Sequence, residues 1–205
     1  MILGVIPARL NSTRFPSKVI FPLKGKPIIE HVYEKALQSK LLNKVIVAVD
    51  SEETRNVINC QNIMMTSDKH QSGTDRVAEV ADNFDCDVVV NIQGDEPGIN
   101  PLLIDQLIQL FEDPCVEMAS IASTDLKEDD LNNDNVVKVN LDEENNAISF
   151  IRNNLNPEST YYRHIGIYAY RKNTLNLFTS LSQSDNEKNH RLEQLRALDL
   201  SLIHI

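Results

Sequence analysis

The stretch VIPARLNSTRFPSK near the N-terminus places Arg9, Arg14 and Lys18 close together in a chain whose formal net charge is −10. Because Pro7 and Pro16 disfavour a regular helix here, we expect a loop. Arginine binds phosphate oxygens in a bidentate manner, and lysine supplies a point charge. The segment therefore predicts a site for phosphate groups. The alternative is a solvated loop whose cations pair with nearby carboxylates.

A second segment, QGDEP, carries carboxylates directly after the apolar run VVVNI. Asp95 should stand at the carboxyl end of that strand, facing the same crevice as Arg9 and Lys18. Magnesium is held in proteins by one or two carboxylates together with substrate phosphate oxygens and water. On the pattern alone, Asp95 and Glu96 are more readily interpreted as turn residues, with a magnesium ligand at Asp95 as the alternative.

Two further segments carry polar residues at positions suited to a binding site. In HQSGTDR, the residues Ser72, Gly73 and Thr74 can turn the chain and cap the helix that follows. In RHIGIYAYR, alternation places His164 and Tyr168 on one face of a strand. Helix capping and an aromatic packing face are the alternative interpretations of these two motifs.

The composition excludes several classes of protein. Thirty acidic against twenty basic residues argue against an extended surface for nucleic acid or an anionic membrane. No apolar run is long enough to span a bilayer and no leader pattern is present, so we expect a soluble cytoplasmic protein. Cys60, Cys86 and Cys115 are widely spaced and lack a CxxC pair, which disfavours a disulfide framework or a zinc site.

Apolar runs alternate with amphipathic stretches through the first half, which predicts an α/β fold with a parallel sheet covered by helices on both faces. The predicted strands are Ile2–Pro7, Lys44–Asp50, Ile63–Thr66 and Asp87–Gln93, and the predicted helices are Pro27–Lys40, Thr74–Phe84 and Pro101–Phe111. Ligands in such sheets bind beyond the carboxyl ends of the strands. The N-terminal loop and the QGDEP turn should therefore meet there.

The second half changes character. Residues 125–146 are dense in Asp, Glu and Asn and are broken by VVKVNL, which alternates like an exposed strand, so we predict an inserted hairpin region. The remaining predicted elements are strands in ISFI and in HIGIYAY at 164–170, helices near Asn173–Leu181 and at Glu187–Leu200, and a strand in the final SLIHI. We expect the fold to continue past this last run.

The motifs PARxxSTRxPxK, HQSGTDR, NIQGDEP, RHIGIYAYR and LEQLR follow one another over nearly the whole chain. Together they resemble the 3-deoxy-manno-octulosonate cytidylyltransferase family, also called CMP-Kdo synthetases. The first motif is shared by many nucleotidyltransferases, and only the set is specific. The resemblance implies a Rossmann-like nucleotide-diphospho-sugar transferase fold with a mixed, mostly parallel sheet. It implies a single domain over residues 1–205, with residues 117–172 as an inserted sheet and dimerisation region of a homodimer.

The resemblance also implies an activity and a set of residues. The family transfers CMP from CTP to 3-deoxy-D-manno-octulosonate (Kdo), giving CMP-Kdo and pyrophosphate for lipopolysaccharide assembly, and uses Mg²⁺. The catalytic residues carried over are Arg9, Lys18 and Asp95, with Asp95 as the metal ligand. The residues carried over for CTP are Pro7, Ala8, Arg9, Arg14, Lys18, Ser72, Gly73 and Thr74. Those carried over for the sugar are Gln93, Arg152, His164, Tyr168, Glu193 and Gln194.

The chain departs from the family pattern in two places. In FIRNN, Ile151 stands where the family has a small polar residue, and the Ile-Pro pair that usually follows is absent. A cytidylyltransferase for another acidic sugar, such as 8-amino-Kdo or sialic acid, is therefore an alternative. The family's second magnesium carboxylate lies in an Asp-Thr-Pro-Glu-Asp-like segment that these residues do not contain. A non-catalytic nucleotide-binding homologue is therefore a second alternative.

Overall fold

The structure, a computed structural model, describes residues 1–10 and 17–199. Its strands are β1 (Ile2–Ala8), β2 (Pro22–Leu23), β3 (Lys26–Pro27), β4 (Lys44–Val49), β5 (Ile63–Met65), β6 (Val88–Asn91), β7 (Met118–Ser123), β8 (Lys138–Leu141), β9 (Ala147–Ile151) and β10 (Tyr162–Arg171). Its α-helices are α1 (Ile28–Ala36), α2 (Glu52–Val57), α3 (Gly73–Asp82), α4 (Pro101–Gln109), α5 (Glu128–Leu131), α6 (Lys172–Ser180), α7 (Asp185–His190) and α8 (Gln194–Asp199). Two 3₁₀ turns cover Lys18–Ile20 and Leu110–Glu112.

Eight strands form one sheet in the order β5-β4-β1-β6-β10-β8-β9, with β7 paired to β10, while β2 and β3 form a separate small hairpin. The pairs among β5, β4, β1 and β6 are parallel, and β10 runs antiparallel to β6, β7 and β8. The mixed sheet agrees with the predicted fold class. Within the described ranges, no helix has both the length and the apolar character needed to cross a membrane.

Helices cover both faces of this sheet, as the sequence predicts. Alternate residues of the parallel strands point to opposite sides, so that Val47 and Val90 pack on one face and Ile46 and Val89 on the other. The first face is covered by α1 and α4, and the second by α3 and α6. Burial of these strands on both faces explains why they appear in the sequence as continuous apolar runs.

The inserted region differs from the predicted exposed strand. Lys138 and Val139 in β8 are 0% and 2% exposed, because β8 pairs with β10 on one side and with β9 on the other. The Lys138 ammonium is satisfied there, since Nζ donates hydrogen bonds to the carbonyls of Asn133 (2.9 Å) and Arg152 (2.5 Å). The hairpin itself is present as β8 and β9.

The predicted single helix Glu187–Leu200 is wrong. The structure has two short helices, α7 and α8, because Arg191 adopts a left-handed backbone conformation (φ 54°) and ends the first of them. Helix α2 and strand β7 were not predicted. The strand predicted in SLIHI lies outside the described residues.

A buried ion pair joins α7 to α8. Arg196 donates to both carboxylate oxygens of Glu187, at 2.7 Å from Nε and 2.6 Å from Nη2, and both side chains are 5% exposed. The guanidinium also lies over the ring of Phe178 in α6, 4.6 Å from its centroid. These contacts fix α7 and α8 to each other and to α6.

We expect Arg196→Met to lower the free energy of unfolding by about 3–5 kcal/mol, because it leaves Glu187 buried without its cation. The matched control is Arg55→Met, since Arg55 pairs with Glu52 on the surface at 3.4 Å. That change should cost less than about 1 kcal/mol. Urea denaturation measures the free energy of unfolding of both variants. Equal losses for the two variants would contradict the assignment.

Candidate active site

The exits of β1 and β6 lie side by side because these strands are adjacent and parallel. Gly94 follows β6, and a Cβ atom at this position would stand 2.8 Å from the carbonyl oxygen of Pro7. Only glycine permits so close an approach of the two backbones. The chain then turns, with the Glu96 N–H donating to the Gln93 carbonyl at 3.2 Å. Asp95 lies on this turn and faces the exit of β1.

An ion pair connects the two exits: Lys18 Nζ donates to Asp95 Oδ2 at 2.7 Å. The loop that carries Lys18 is closed at its base, since the Ser17 N–H donates to the Leu10 carbonyl at 2.9 Å. The Leu10 N–H in turn donates to Asp50 Oδ1 at 3.2 Å. The predicted meeting of N-terminal cations with Asp95 is therefore present in the structure.

A cleft of about 210 Å³ surrounds this ion pair, and we call it the basic cleft. Five residues predicted to bind nucleotide line it, namely Pro7, Arg9, Lys18, Ser72 and Gly73. The side chains of Ala8 and Thr74 do not, because they are 0% and 2% exposed and lie in the protein interior. Arg14 lies outside the described residues.

The start of α3 holds the HQSG loop against the basic cleft. Ser72 accepts a hydrogen bond from the Asp75 N–H at 3.1 Å, and Asp75 accepts one from the Ser72 N–H at 2.9 Å. This reciprocal capping box satisfies two backbone donors that a helix N-terminus would otherwise leave without partners. The capping role predicted for Ser72 is therefore observed, together with its position at the cleft wall.

Arg76 also lines the basic cleft, although the sequence analysis did not select it. Its guanidinium is 1% exposed, donates to the Thr66 hydroxyl, and lies 3.3 Å from Asp50 Oδ2. The Asp50 carboxylate therefore contacts both the Arg76 guanidinium and the backbone N–H of Leu10. A sequence-based prediction could have selected Arg76 from its position on α3, one turn after the HQSG loop and on the face towards β1.

A larger cavity, of about 670 Å³, lies beyond the QGDEP turn, and we call it the large cavity. All six residues predicted to bind the sugar line it, namely Gln93, Arg152, His164, Tyr168, Glu193 and Gln194. Gln93 and Asp95 line both the large cavity and the basic cleft. The two spaces therefore meet at the carboxyl end of β6.

The wall formed by β10 carries the aromatic rings of His164 and Tyr168 beside Arg163. The rings of His164 and Tyr168 lie 5.5 Å apart, and Phe150 packs edge-on against His164 at 5.0 Å. Ser120 Oγ shares a hydrogen bond of 2.8 Å with His164 Nε2. Burial lowers the pKa of His164 to about 4 and raises the pKa of Tyr168. Both side chains are therefore neutral hydrogen-bonding groups at neutral pH.

The opposite wall carries a carboxyl group. Glu193 lies between α7 and α8, and its Oε2 accepts a hydrogen bond from the Thr74 hydroxyl at 2.6 Å. Burial raises the pKa of Glu193, while the hydrogen bonds from Thr74 and Ser72 oppose this rise. Arg152, at another edge of the cavity, donates from Nη1 to the carbonyl of Asp134 at 2.8 Å. The cavity thus offers a carboxyl, a guanidinium and two neutral rings to one ligand.

Comparison with known proteins identifies the family. Residues 3–202 match the family model described as cytidylyltransferase. A protein from Pelobacter propionicus named 3-deoxy-manno-octulosonate cytidylyltransferase is 40% identical to this chain, over 97% of this chain and 85% of its own length. A protein of the same name from Chloroherpeton thalassium is 42% identical, over 95% of this chain and 84% of its own length. The chain belongs to the 3-deoxy-manno-octulosonate cytidylyltransferase family.

Solved structures agree with this membership of the 3-deoxy-manno-octulosonate cytidylyltransferase family. A structure described as CMP:2-keto-3-deoxy-manno-octonic acid synthetase complexed with CTP is 35% identical, with a TM-score of 0.90, covering 98% of this chain and 86% of that one. The 4-diphosphocytidyl-2C-methyl-D-erythritol synthase of Anaerococcus prevotii is 13% identical with a TM-score of 0.63 over 98% and 82% of the two chains. The second likeness shows a shared fold.

The acidic groups of this family member fit a cation that is bound partly by substrate. No three His, Cys, Asp or Glu side chains converge within residues 1–10 and 17–199. Asp95 presents a hard oxygen donor whose side chain is 38% exposed, where the basic cleft and the large cavity meet. A divalent cation that takes few protein carboxylates and completes its shell with phosphate and water suits such a donor.

We expect the His164 imidazole to remain neutral from pH 8 down to pH 5, because burial holds its pKa at about 4. Nitrogen-detected NMR of the ring measures this, with the His164→Asn variant assigning the signal. The unfolded chain protonates this histidine near pH 6.5, at its ordinary pKa. The free energy of unfolding contributed by this residue should therefore fall as the pH drops from about 6.5 to 4. A ring that titrates above pH 6 would contradict the assignment.

Proposed function

We propose that this protein transfers the cytidylyl group of CTP to Kdo, giving CMP-Kdo and pyrophosphate. The observation that carries the proposal is the junction at Asp95 and Gln93, where the basic cleft and the large cavity meet. Such a junction lets a triphosphate on one side and a sugar acid on the other reach the same point. The names of the relatives that share over a third of their residues with this chain support this pair of substrates.

In the proposed reaction the anomeric hydroxyl of Kdo attacks the α-phosphorus of CTP in line. A new oxygen–phosphorus bond forms, the bond to the β-phosphate oxygen breaks, the hydroxyl proton is released, and pyrophosphate leaves. Catalysis of this kind depends on position and on neutralisation of charge. Arg9 and Lys18 hold the triphosphate in the basic cleft, and we assign the same task to Arg14.

We assign the metal site to Asp95 and the metal to Mg²⁺, which neutralises phosphate charge when it is bound. The ion pair of Asp95 with Lys18 supports this role, because the same carboxylate faces the place where triphosphate oxygens would lie. Lys18 keeps the carboxylate oriented and supplies a positive charge to the phosphate. Pro7, Ser72 and Gly73 shape the cleft that receives the nucleotide.

The large cavity receives the sugar acid in this proposal. Arg152 meets the sugar carboxylate, and Gln93, His164, Tyr168, Glu193 and Gln194 bind hydroxyl groups. Arg163 and Arg191 line the same cavity outside the predicted set. These cations suit any acidic sugar, and the departure from the family pattern at Ile151 favours, as a second candidate, a related acid such as 8-amino-Kdo or sialic acid.

We also propose that the protein acts in the cytoplasm, where CTP and Kdo are available, and that it is a homodimer through residues 117–172. An apolar recess of about 260 Å³ on β7, β8 and β9 supports the dimer, together with Ile148, which is 58% exposed beside it. Light scattering tests the dimer, and a monomer at micromolar concentration would exclude it.

We expect Asp95→Asn to abolish magnesium-dependent release of pyrophosphate, because the amide no longer neutralises the cation. Lys18→Ala should lower turnover by about 100-fold or more, the loss expected for a preorganised charge contact. Lys35→Ala, an exposed change on α1, is the control and should keep full turnover. Circular dichroism checks that all three variants are folded. Turnover of Asp95→Asn at the wild-type level would refute the metal assignment.

The same assay separates the candidate functions. Pyrophosphate release is measured with CTP, Mg²⁺ and each of Kdo, 8-amino-Kdo and sialic acid. The highest kcat/KM with Kdo supports the proposed function, and a higher value with another acid supports the second candidate. No release with any of the three would indicate a non-catalytic homologue that binds nucleotide.

A further inference from the structure

Thr74 follows Ser72 and Gly73, which line the basic cleft, in the HQSGTDR segment that we call the nucleotide loop. Its side chain, however, makes its contacts elsewhere. Thr74 is the second residue of α3, directly after Gly73 of the basic cleft, yet it is 2% exposed. Its hydroxyl donates to Glu193 Oε2 at 2.6 Å, across 119 positions of the chain. It accepts in turn from the Asn91 amide at 3.4 Å, at the end of β6. Thr74 therefore connects the base of the nucleotide loop to the wall of the large cavity.

Glu193 is oriented by this contact together with the hydrogen bond from Ser72. It lies in the short connection between α7 and α8, outside both helices, and lines the large cavity. Thr74 holds Oε2, whereas Oε1 is buried and has no hydrogen-bond partner among the residues that the structure describes. Arg196 Nη2 lies 3.8 Å from Oε1, beyond hydrogen-bonding distance. A buried acceptor without a partner is costly, so the Glu193 carboxyl depends on the contacts of Oε2 to keep its place in the cavity wall.

We propose that Thr74 is a positioning residue for the sugar acid, which it serves by fixing Oε2 of Glu193 and so keeping this carboxyl group in place in the wall of the large cavity. The inference rests on the proposed function and deepens it. Thr74 touches neither substrate. The capping box between Ser72 and Asp75 does not include its hydroxyl, so the nucleotide loop keeps its shape without it.

Thr74→Val tests the role, because valine keeps the shape and removes the hydroxyl. We expect KM for Kdo to rise by about tenfold or more, as for loss of a hydrogen bond to a charged group. KM for CTP should change by less than about twofold, since the cap remains. Thr74→Ser keeps the hydroxyl and should restore KM for Kdo to within about threefold of wild type.

Two further variants distinguish positioning from general packing. Thr179→Val is the matched packing control, because the Thr179 hydroxyl donates to the carbonyls of Leu175 and Asn176 at 3.1 and 3.2 Å, away from the large cavity. Its KM for Kdo should stay at the wild-type value. In a Glu193→Ala background, Thr74→Val should raise KM for Kdo by much less than it does in the wild type, because alanine already removes the acceptor of the Thr74 hydrogen bond. Fully additive effects, or equal rises in KM for both substrates, would overturn the proposal.

Calorimetric titration of Kdo into each variant gives a second readout that needs no turnover. Weaker Kdo binding by Thr74→Val, with recovery in Thr74→Ser, supports the positioning role. If the wild-type protein turns over Kdo and the Thr74→Val variant binds and turns over Kdo equally well, this inference is overturned and the proposed function stands. A wild-type protein that neither binds nor turns over Kdo overturns both the proposed function and the inference.

Discussion

The close passage of Gly94 against the Pro7 carbonyl is the constraint on which the site depends. Adjacent parallel strands bring their carboxyl ends to one edge, but side chains normally keep the emerging backbones apart. The missing side chain at Gly94 removes that separation, and the turn that follows places Asp95 within 2.7 Å of Lys18. Both cavities are organised around this contact, because each includes Asp95 in its wall.

The environments on either side of Asp95 differ in a way that suits two different ligands. The basic cleft carries Arg9, Lys18 and the buried Arg76, which together offset the negative charge of the chain locally. The large cavity combines neutral aromatic groups with the half-buried carboxyl of Glu193 and guanidinium groups. A polyanion and a hydroxylated acid would therefore be sorted by electrostatics before they meet.

The sequence predicted the parallel half of the fold from local patterns, whereas most residues assigned to the nucleotide and the sugar came from the resemblance to the family. Buried strands leave continuous apolar runs, and polar residues directly after them lie at one edge of the sheet. The break at Arg191 was not predictable in this way, since a non-glycine residue in the left-handed region leaves no mark in a helical pattern. The burial of Lys138 depends on carbonyl groups from two other segments, which no local pattern reveals. The inward direction of Thr74 was missed for the same reason, because its partner Glu193 is distant in sequence.

Strand β10 joins the two halves of the molecule. Its C-terminal residues pair with β6 of the parallel sheet, whereas its first residues pair with β8 of the insertion, and the register with β7 shifts between Ile165 and Tyr168. The two ends of one cavity wall are thus anchored to different parts of the same sheet. Substitutions in the β8–β9 hairpin can reshape the distal end, beside His164, while Tyr168 stays fixed opposite Asn91. Substrate preference can thereby diverge among relatives without moving the groups nearest the nucleotide.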